Sequence, residues 1–294
     1  MVAIQSLSPE RIFRKEFIEQ TIIEKLEPTL YFLDKFPVVD LEGATTFSYY
    51  RDDKNSEDMV QNGDMSSPVI MSELGQLSAV NFSPIEKRVG DTYRFGYKLE
   101  FGREVEREAQ LIDEITRGYT KAAQYLSFKI NKDIVNNLLN NAAVDPITLT
   151  DGAWNDSTAI ADDIINMREN FEEDGWDSEL TDLYLNKKQY YQLLRYYRAT
   201  ENWDWKDNQV EGIRVHNVKS NITQGIGLGL DVDTKPLTIY KNVQKDFSTD
   251  PKNNLVNVNT FTRQEYPHNQ VIEFWVELGM SVRYPHSILK QTGL

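Results

Sequence analysis

One long apolar stripe dominates the pattern of hydrophobic and polar positions along the chain. Between Glu104 and Asn141 an apolar residue recurs every three or four positions, which is the spacing of one face of an α-helix. Proline is absent from this stretch, and only Gly118 weakens its helical character. At about 1.5 Å per residue the helix spans roughly 55 Å, so the sequence predicts a spine that supports the other elements. The stripe consists of Leu111, Ile115, Tyr119, Ala122, Leu126, Ile130, Ile134 and Leu138.

Two other stretches alternate apolar and polar residues with a period of two, as strands with one buried face do. The first runs from Tyr93 to Phe101 and leads into the predicted helix, and the second runs from Val271 to Arg283. We expect the stripe of the helix to pack against the second strand within one subunit. The residues expected at that contact are Ile272, Phe274, Val276 and Leu278.

The first hundred residues predict two segments that cannot bury themselves alone. A short amphipathic helix begins at Ser8-Pro9 and continues to Leu26, so it must dock on the body or on a neighbouring subunit. Residues 41–101 form a long two-stranded excursion, going out through Ala44–Arg51 and returning through Val80–Phe101. An excursion of this length is unusual inside a compact domain, so we interpret it as a lid or as an arm that reaches a partner.

The second half of the chain changes to an α/β pattern after a linker at Thr148–Ser157. It predicts a helix from Ile160 to the Asp174-Gly175 stop, a strand over Leu180–Leu185, and a helix capped by Asn186. The inward residues of this last helix are expected to be Tyr190, Leu193, Leu194 and Tyr197. Two more short strands are predicted at Ile213–Val218 and Leu237–Val243, with a Gly-rich turn at Gln224–Asp233 between them and a polar loop at Lys245–Asn254 after them.

Composition narrows the possible functions. The 294 residues include no cysteine, which excludes disulfides, thiolate metal sites and cysteine nucleophiles. Neither a signal peptide nor an apolar run long enough to cross a membrane is expected. The net charge of −14 accounts for solubility in one interpretation and, in a second, predicts a surface that adheres neither to nucleic acid nor to anionic membranes. A contiguous Lys/Arg patch on a DNA-facing side would contradict that prediction.

The search for chemical motifs yields no catalytic, cofactor-binding or metal-binding residue. Gly225-Ile226-Gly227-Leu228-Gly229 lacks the following helix that a dinucleotide site needs, so we interpret it as a flexible loop. The three histidines lack metal-ligand spacing and are interpreted as structural. The acidic clusters are interpreted as solvated surface, and the loop around Trp203 and Trp205 as a subunit contact. The histidines are His216, His268 and His286, and the acidic clusters are Asp52–Asp58, Asp162-Asp163 and Glu172–Asp174.

Three stretches carry a resemblance to the major capsid proteins of tailed phages, which share the Hong Kong 97-type fold. Thr92–Ile130 is similar to the family's extended-loop return strand entering its spine helix. Ala159–Tyr197 resembles the axial-domain order of helix, short strand and a helix beginning Asn-x-x-x-Tyr, and Gln270–Tyr284 resembles the last peripheral-domain strand. The resemblance covers nearly the whole chain and implies an α+β fold.

The resemblance also implies a division of the chain and a structural role. Residues 1–40 would be an N-terminal arm, 41–101 an extended loop built as a long β-hairpin, 102–150 and 236–294 a peripheral domain with the spine helix, and 151–235 an axial domain. The chain would be a non-enzymatic subunit without cofactor, assembling through hexamers and pentamers into an icosahedral shell around double-stranded DNA. Sequence-specific DNA binding and membrane contact are not expected.

The resemblance further implies location in the virion after assembly in the host cytoplasm, with scaffold, portal and decoration proteins as partners. The short arm favours a separate scaffold protein or an already trimmed sequence. Some members cross-link their subunits through lysine and asparagine, but no motif selects Lys54 or Lys98 for that role. Two alternatives stay open: an encapsulin-like compartment shell and an acidic soluble enzyme with an unrecognised site.

Overall fold

A computed structural model describes residues 15–52, 85–102, 112–154, 158–174, 178–199, 209–243, 255–262 and 269–294. The chain forms two compact units, each built from several segments. The first contains Met1–Phe47, Gly90–Asp133 and Ile239–Met280, and the second contains Ser48–Val89, Ile134–Thr238 and Ser281–Leu294. Helices and sheets are both present, which confirms the α+β class.

The predicted spine is helix α2, Ile112–Asn141, which continues without interruption through Gly118. Its 30 residues exceed eight turns. The predicted start at Glu104 and the stripe residue Leu111 lie outside the described residues. Every other member of the predicted stripe is buried, from Ile115 to Leu138, so the periodicity identified the buried face correctly.

A five-stranded sheet is centred on the long strand β11, Asn269–Val282. Its order is β1 (Val38–Asp40), β9 (Leu237–Lys241), β11 and β10 (Val256–Thr262), and β4 (Tyr93–Gly102) also pairs with β11. The strand β10 falls just after the predicted polar loop and was not predicted.

The spine helix contacts this sheet through β4. A Cβ on Gly118 would lie 3.5 Å from Leu99 and 3.6 Å from Phe101, and the rings of Phe101 and Tyr119 meet edge to face at 6.4 Å. The antiparallel register opposes Ile272 to Leu99. Opposed residues share a face of the sheet, so Ile272 lies on the same face of the sheet as Leu99. The predicted packing of the helix stripe against β11 itself stays a prediction.

The N-terminal arm docks on the chain's own body. Helix α1, Lys15–Leu26, buries Ile18, Ile22 and Leu26 and packs on β10. The Asn131 side chain of α2 then accepts a hydrogen bond from the Tyr31 backbone and donates one to the Thr29 carbonyl. The predicted helix start at Ser8-Pro9 lies outside the described residues.

Only the two ends of the predicted excursion are described, since residues 53–84 lie outside the described residues. Its two-stranded sheet consists of β2, Thr46–Asp52, and β3, Ile85–Asp91. The prediction of one return strand up to Phe101 was wrong, because the strands separate at Thr92 and β4 joins the larger sheet. The Thr92 hydroxyl donates to the Thr45 carbonyl, next to β2, and also bonds the Glu277 carboxylate on β11. It therefore connects the start of the hairpin to the larger sheet.

The second unit contains the other five-stranded sheet, in the order β12, β8, β5, β7, β6. Two helices, α3 (Ile160–Asp174) and α4 (Lys187–Ala199), supply Met167, Phe171 and Leu193 to its core. The strands are β5 (Asp182–Leu185), β6 (Gln209–Val210), β7 (Ile213–Asn217), β8 (Ile226–Leu230) and β12 (Ile288–Thr292).

The two predicted helices of this unit and its predicted strands over Leu180–Leu185 and Ile213–Val218 are confirmed, with one difference in the buried face of α4. Asn186 caps α4 as predicted, since its side-chain oxygen accepts from the Lys188 backbone at 3.1 Å. Leu193 and Tyr197 are buried as predicted, but Tyr190 and Leu194 are only half-buried and Gln189 is buried instead. A polar residue on the inward face gives no signal in a hydrophobicity pattern.

The Gly-rich stretch was predicted wrongly as a flexible loop, because most of it forms the interior strand β8, which pairs with β12 on one side and β5 on the other. Its glycines are required by packing rather than by flexibility. A Cβ on Gly227 would lie 2.7 Å from Leu294, and one on Gly229 would lie 2.8 Å from Leu180. Glycine therefore lets the core side chains approach the backbone of the sheet.

Asp163 corrects the interpretation of Asp162-Asp163 as solvated surface. Asp162 is exposed, but Asp163 is fully buried. Its carboxylate accepts from the backbone and hydroxyl of Thr150, both at 2.8 Å, and from the Trp154 indole at 3.0 Å. These hydrogen bonds hold the linker before α3 against the helix.

Candidate functional site

The polar groups of the described residues form no constellation for metal chemistry. Within the described ranges no set of three His, Asp or Glu side chains is placed to hold a metal ion. No helix in the same ranges is both long and apolar enough to cross a membrane. His268, the two loop tryptophans and most of the acidic tip at Asp52–Asp58 lie outside the described residues.

One ionic cluster was not predicted, and it joins β5 to β7. The buried Asp182 carboxylate accepts from the Arg214 guanidinium at 2.7 Å and lies 2.5 Å from Nε2 of His216. The Thr181 hydroxyl donates to the same carboxylate at 2.9 Å. The His216 ring also stacks on Tyr184, with centroids 4.6 Å apart. Because its members lie on two strands distant in sequence, spacing along the chain could not reveal it.

The electrostatics of this cluster favour an ionised Asp182. Burial is the largest single influence on the pKa of this carboxyl and by itself raises it. Hydrogen bonds from His216 and Thr181, together with the electrostatic effects of His216 and Arg214, outweigh burial, so the pKa lies below its ordinary value. The cluster links β5 to β7, and the Arg214 and His216 side chains are partly exposed.

The base of the hairpin is held by one aromatic side chain. Phe47 of β2 is buried, and its ring stacks on Tyr240 with centroids 3.9 Å apart. It occupies a slot between two glycines: a Cβ on Gly90 would lie 2.5 Å from the ring, and one on Gly279 would overlap it. Two polar bonds support the slot, because the Asn242 side chain accepts from the Gly43 backbone and donates to Glu277.

Beyond its base, the hairpin exposes apolar residues. Tyr50 retains 61% of its accessible surface and Val89 retains 71%. Large exposed apolar groups on a two-stranded sheet are typical of a surface that another molecule covers. The hairpin is therefore the strongest candidate contact surface among the described residues.

Further exposed apolar residues lie on both units. In the first unit the rings of Tyr97 and Tyr125 contact each other at 5.1 Å between β4 and α2, and both are exposed. In the second unit Ile165 of α3 and Tyr191 of α4 are exposed. Lys98, considered above for a cross-link, pairs with Glu100 on β4, and Lys54 lies outside the described residues.

Comparison with known proteins indicates a role for these exposed surfaces. The family model described as phage capsid protein matches residues 86–276, which is more than half of the chain. The chain therefore belongs to the phage capsid protein family. No curated protein matches it by sequence.

Solved structures agree with the family match in fold. The virus-like particle from Pyrococcus furiosus superposes with a TM-score of 0.60 at 12% identity, covering 94% of this chain and 98% of that chain. A structure from Microbacterium phage Oxtober96 has a TM-score of 0.62 at 11% identity, with 89% and 90% covered. The capsid of the cyanophage P-SCSP1u has a TM-score of 0.59 at 12% identity, with 90% and 88% covered.

These findings confirm the resemblance to the Hong Kong 97-type capsid fold. The chain is a capsid shell protein and a structural component of the virion. The match favours this class over a compartment shell that encloses a cargo enzyme. The surfaces described above are accordingly candidates for contacts between subunits.

Proposed function

We propose that this capsid protein assembles with copies of itself through hexamers and pentamers into an icosahedral shell that encloses double-stranded DNA. The family match over residues 86–276 carries the proposal. Each contact between subunits can be weak, because a closed symmetric shell repeats it many times. The role is structural, and the subunit has no enzymatic activity and needs no cofactor.

We assign the chain segments as an arm (1–40), an extended loop (41–101), a peripheral domain (102–150 and 236–294) and an axial domain (151–235). The separate β2–β3 sheet supports a projecting loop. The pairing of β12 with β8 argues for moving the last strand into the axial domain. The axial domain surrounds the centres of hexamers and pentamers in this proposal.

The β2–β3 hairpin is the part of the subunit that gains most from assembly. Tyr50 and Val89 expose apolar surface that is removed from water when a neighbour covers it. The unpaired edges of a two-stranded sheet also offer backbone groups to a partner strand. The anchored Phe47 fixes where the hairpin leaves the body.

The proposal includes partners besides the subunit itself. Scaffold and portal proteins would guide closure of the shell, and decoration proteins would bind outside it. Assembly would take place in the host cytoplasm.

Analytical ultracentrifugation of the full-length chain tests the proposal over a concentration series, alone and with its scaffold protein co-expressed. We expect species of five or six copies together with much larger particles. A chain that stays monomeric under every condition would contradict the proposal.

A further inference from the structure

The exposed face of the spine helix carries a stripe of basic and aromatic residues, and one of them, Tyr125, is also among the candidate subunit contacts described above. Its members are Arg117, Lys121, Gln124, Tyr125, Phe128 and Lys132. All six are exposed. At 100° per residue they fall within roughly a quarter to a third of the helix circumference. They therefore form one continuous surface, which we name the basic stripe.

Charge is distributed very unevenly around the basic stripe. The chain contains 46 acidic residues against 32 Lys and Arg, yet Ile115–Lys132 contains no acidic residue. Asp113 and Glu114 precede the stripe, and Asp133 follows it. Asp133 is already bonded, because it accepts from Lys129 at 2.8 Å and from the Tyr93 hydroxyl at 3.1 Å. The cations of the stripe itself thus face solvent without a carboxylate among them.

The stripe is long enough to follow several base pairs of a duplex. From Arg117 to Lys132 the helix rises about 22 Å, which is roughly two thirds of a turn of duplex DNA. Two cations, Arg117 and Lys121, are followed by two aromatic rings and then by Lys132, which lies 5.9 Å from the centroid of the Phe128 ring. Cationic side chains on such a surface contact phosphates without reading sequence.

We propose that the basic stripe of the spine helix is a non-specific contact surface for the phosphate backbone of the enclosed double-stranded DNA. This inference rests on the proposed function, since it takes the DNA of the filled shell as the ligand. It also revises the expectation of a uniformly non-adhesive surface: the net charge repels DNA overall, while the stripe gives a local, salt-sensitive attachment.

The first test measures binding of the full-length chain to a fluorescent duplex of about 30 base pairs as salt rises from about 50 to about 200 mM. The variant Lys121→Gln/Lys132→Gln removes two cations and keeps two good helix formers. We expect it to bind on the order of tenfold more weakly at low salt, with a salt slope reduced by about two. Lys187→Gln/Lys188→Gln on α4 is the matched control, since both lysines are exposed and it should bind as the wild type does.

Three results would overturn the inference. The first is equal duplex binding by the wild type and the stripe variant, and the second is no binding by either protein at low salt. The third is binding of poly-glutamate as tight as duplex binding, which would assign the stripe to an acidic protein segment. Electron microscopy of the same variants separates the two proposals: shells that form without DNA binding overturn only the stripe, whereas absence of shells from the wild type contradicts the proposed function.

Discussion

At the scale of single residues, Phe47 and the glycines around it connect the hairpin to the body. The ring fills a slot that exists because neither Gly90 nor Gly279 has a side chain. Neither glycine has a positive φ, so the requirement is space rather than backbone conformation. A side chain that fills that space should therefore destabilise the structure where the hairpin leaves the sheet.

We predict that Gly279→Ala lowers the free energy of unfolding by about 1–3 kcal/mol, because the new methyl group overlaps the Phe47 ring. Gly118→Ala in α2 is the matched control: its Cβ meets only ordinary contacts, and alanine in a helix interior should add about 0.5–1 kcal/mol. Urea denaturation of both variants measures the difference. Equal changes in the two variants would argue against the slot.

The Asp182 cluster predicts how stability depends on pH. Because its pKa is lowered in the folded state, ionised Asp182 stabilises the fold above the unfolded pKa of about 4, and that contribution is lost as pH falls through the folded value. Asp182→Asn should therefore cost about 1.5–3 kcal/mol per weakened charged hydrogen bond near pH 6, and progressively less as the pH falls below about 4. Denaturation of the wild type and the variant across this pH range measures whether their stabilities converge as the pH falls. A stability difference that stays the same at every pH would contradict the prediction.

At the scale of elements, the linker before α3 depends on one buried carboxylate. Asp163 receives three hydrogen bonds from Thr150 and Trp154, and these close the linker onto the helix. The periodic pattern of α3 placed Ile160, Ile164, Met167 and Phe171 inward correctly. It did not identify Asp163, because a buried acid and an exposed acid look the same in a hydrophobicity pattern.

We expect Asp163→Ala to destabilise the second unit by about 1–3 kcal/mol for each donor left without its acceptor. Hydrogen exchange should accelerate most over residues 145–154. Thr150→Val removes one hydroxyl and leaves the indole bond, so its effect should be clearly smaller. Exchange spread evenly over the whole chain would show that the carboxylate acts elsewhere.

Elements with regular alternation or strong helical periodicity could be predicted, and others could not. The spine and β11 have long patterns, and their buried faces match the structure. In β8, Gly227 and Gly229 were mistaken for signs of flexibility, because only the tertiary neighbours Leu294 and Leu180 explain them. The strand β12 is short and was missed, since its pairing partner β8 had been interpreted as a loop.

At the scale of the whole molecule, the order of elements carried the information on function. Single motifs carried no information on function. The Asp182 cluster was not predicted, because its residues lie on two strands that are distant in sequence. The family match and the similarity in fold then turned exposed apolar residues into candidate subunit contacts. Such contacts leave little trace in one sequence, because an exposed Tyr50 resembles a buried tyrosine in composition and spacing.

We predict that Tyr50→Ser/Val89→Ser abolishes or strongly reduces particle formation while the subunit stays folded. Surface changes of this kind usually alter stability by no more than about 0.5 kcal/mol, whereas the variant removes apolar area from the proposed contact. Lys87→Ser on the same strand is the control for a general effect of the hairpin surface, since Lys87 is exposed and polar. Size-exclusion chromatography with light scattering gives the assembly state. Normal particles from the double variant would exclude these two residues from the contact.

A cryo-electron microscopy reconstruction of the expressed protein tests the central claim most directly. The account predicts a closed shell of rings of five and six copies, with the β2–β3 hairpin of each copy lying against a neighbour. An open lattice, a single small oligomer, or monomers at every concentration in the presence of scaffold protein would contradict it.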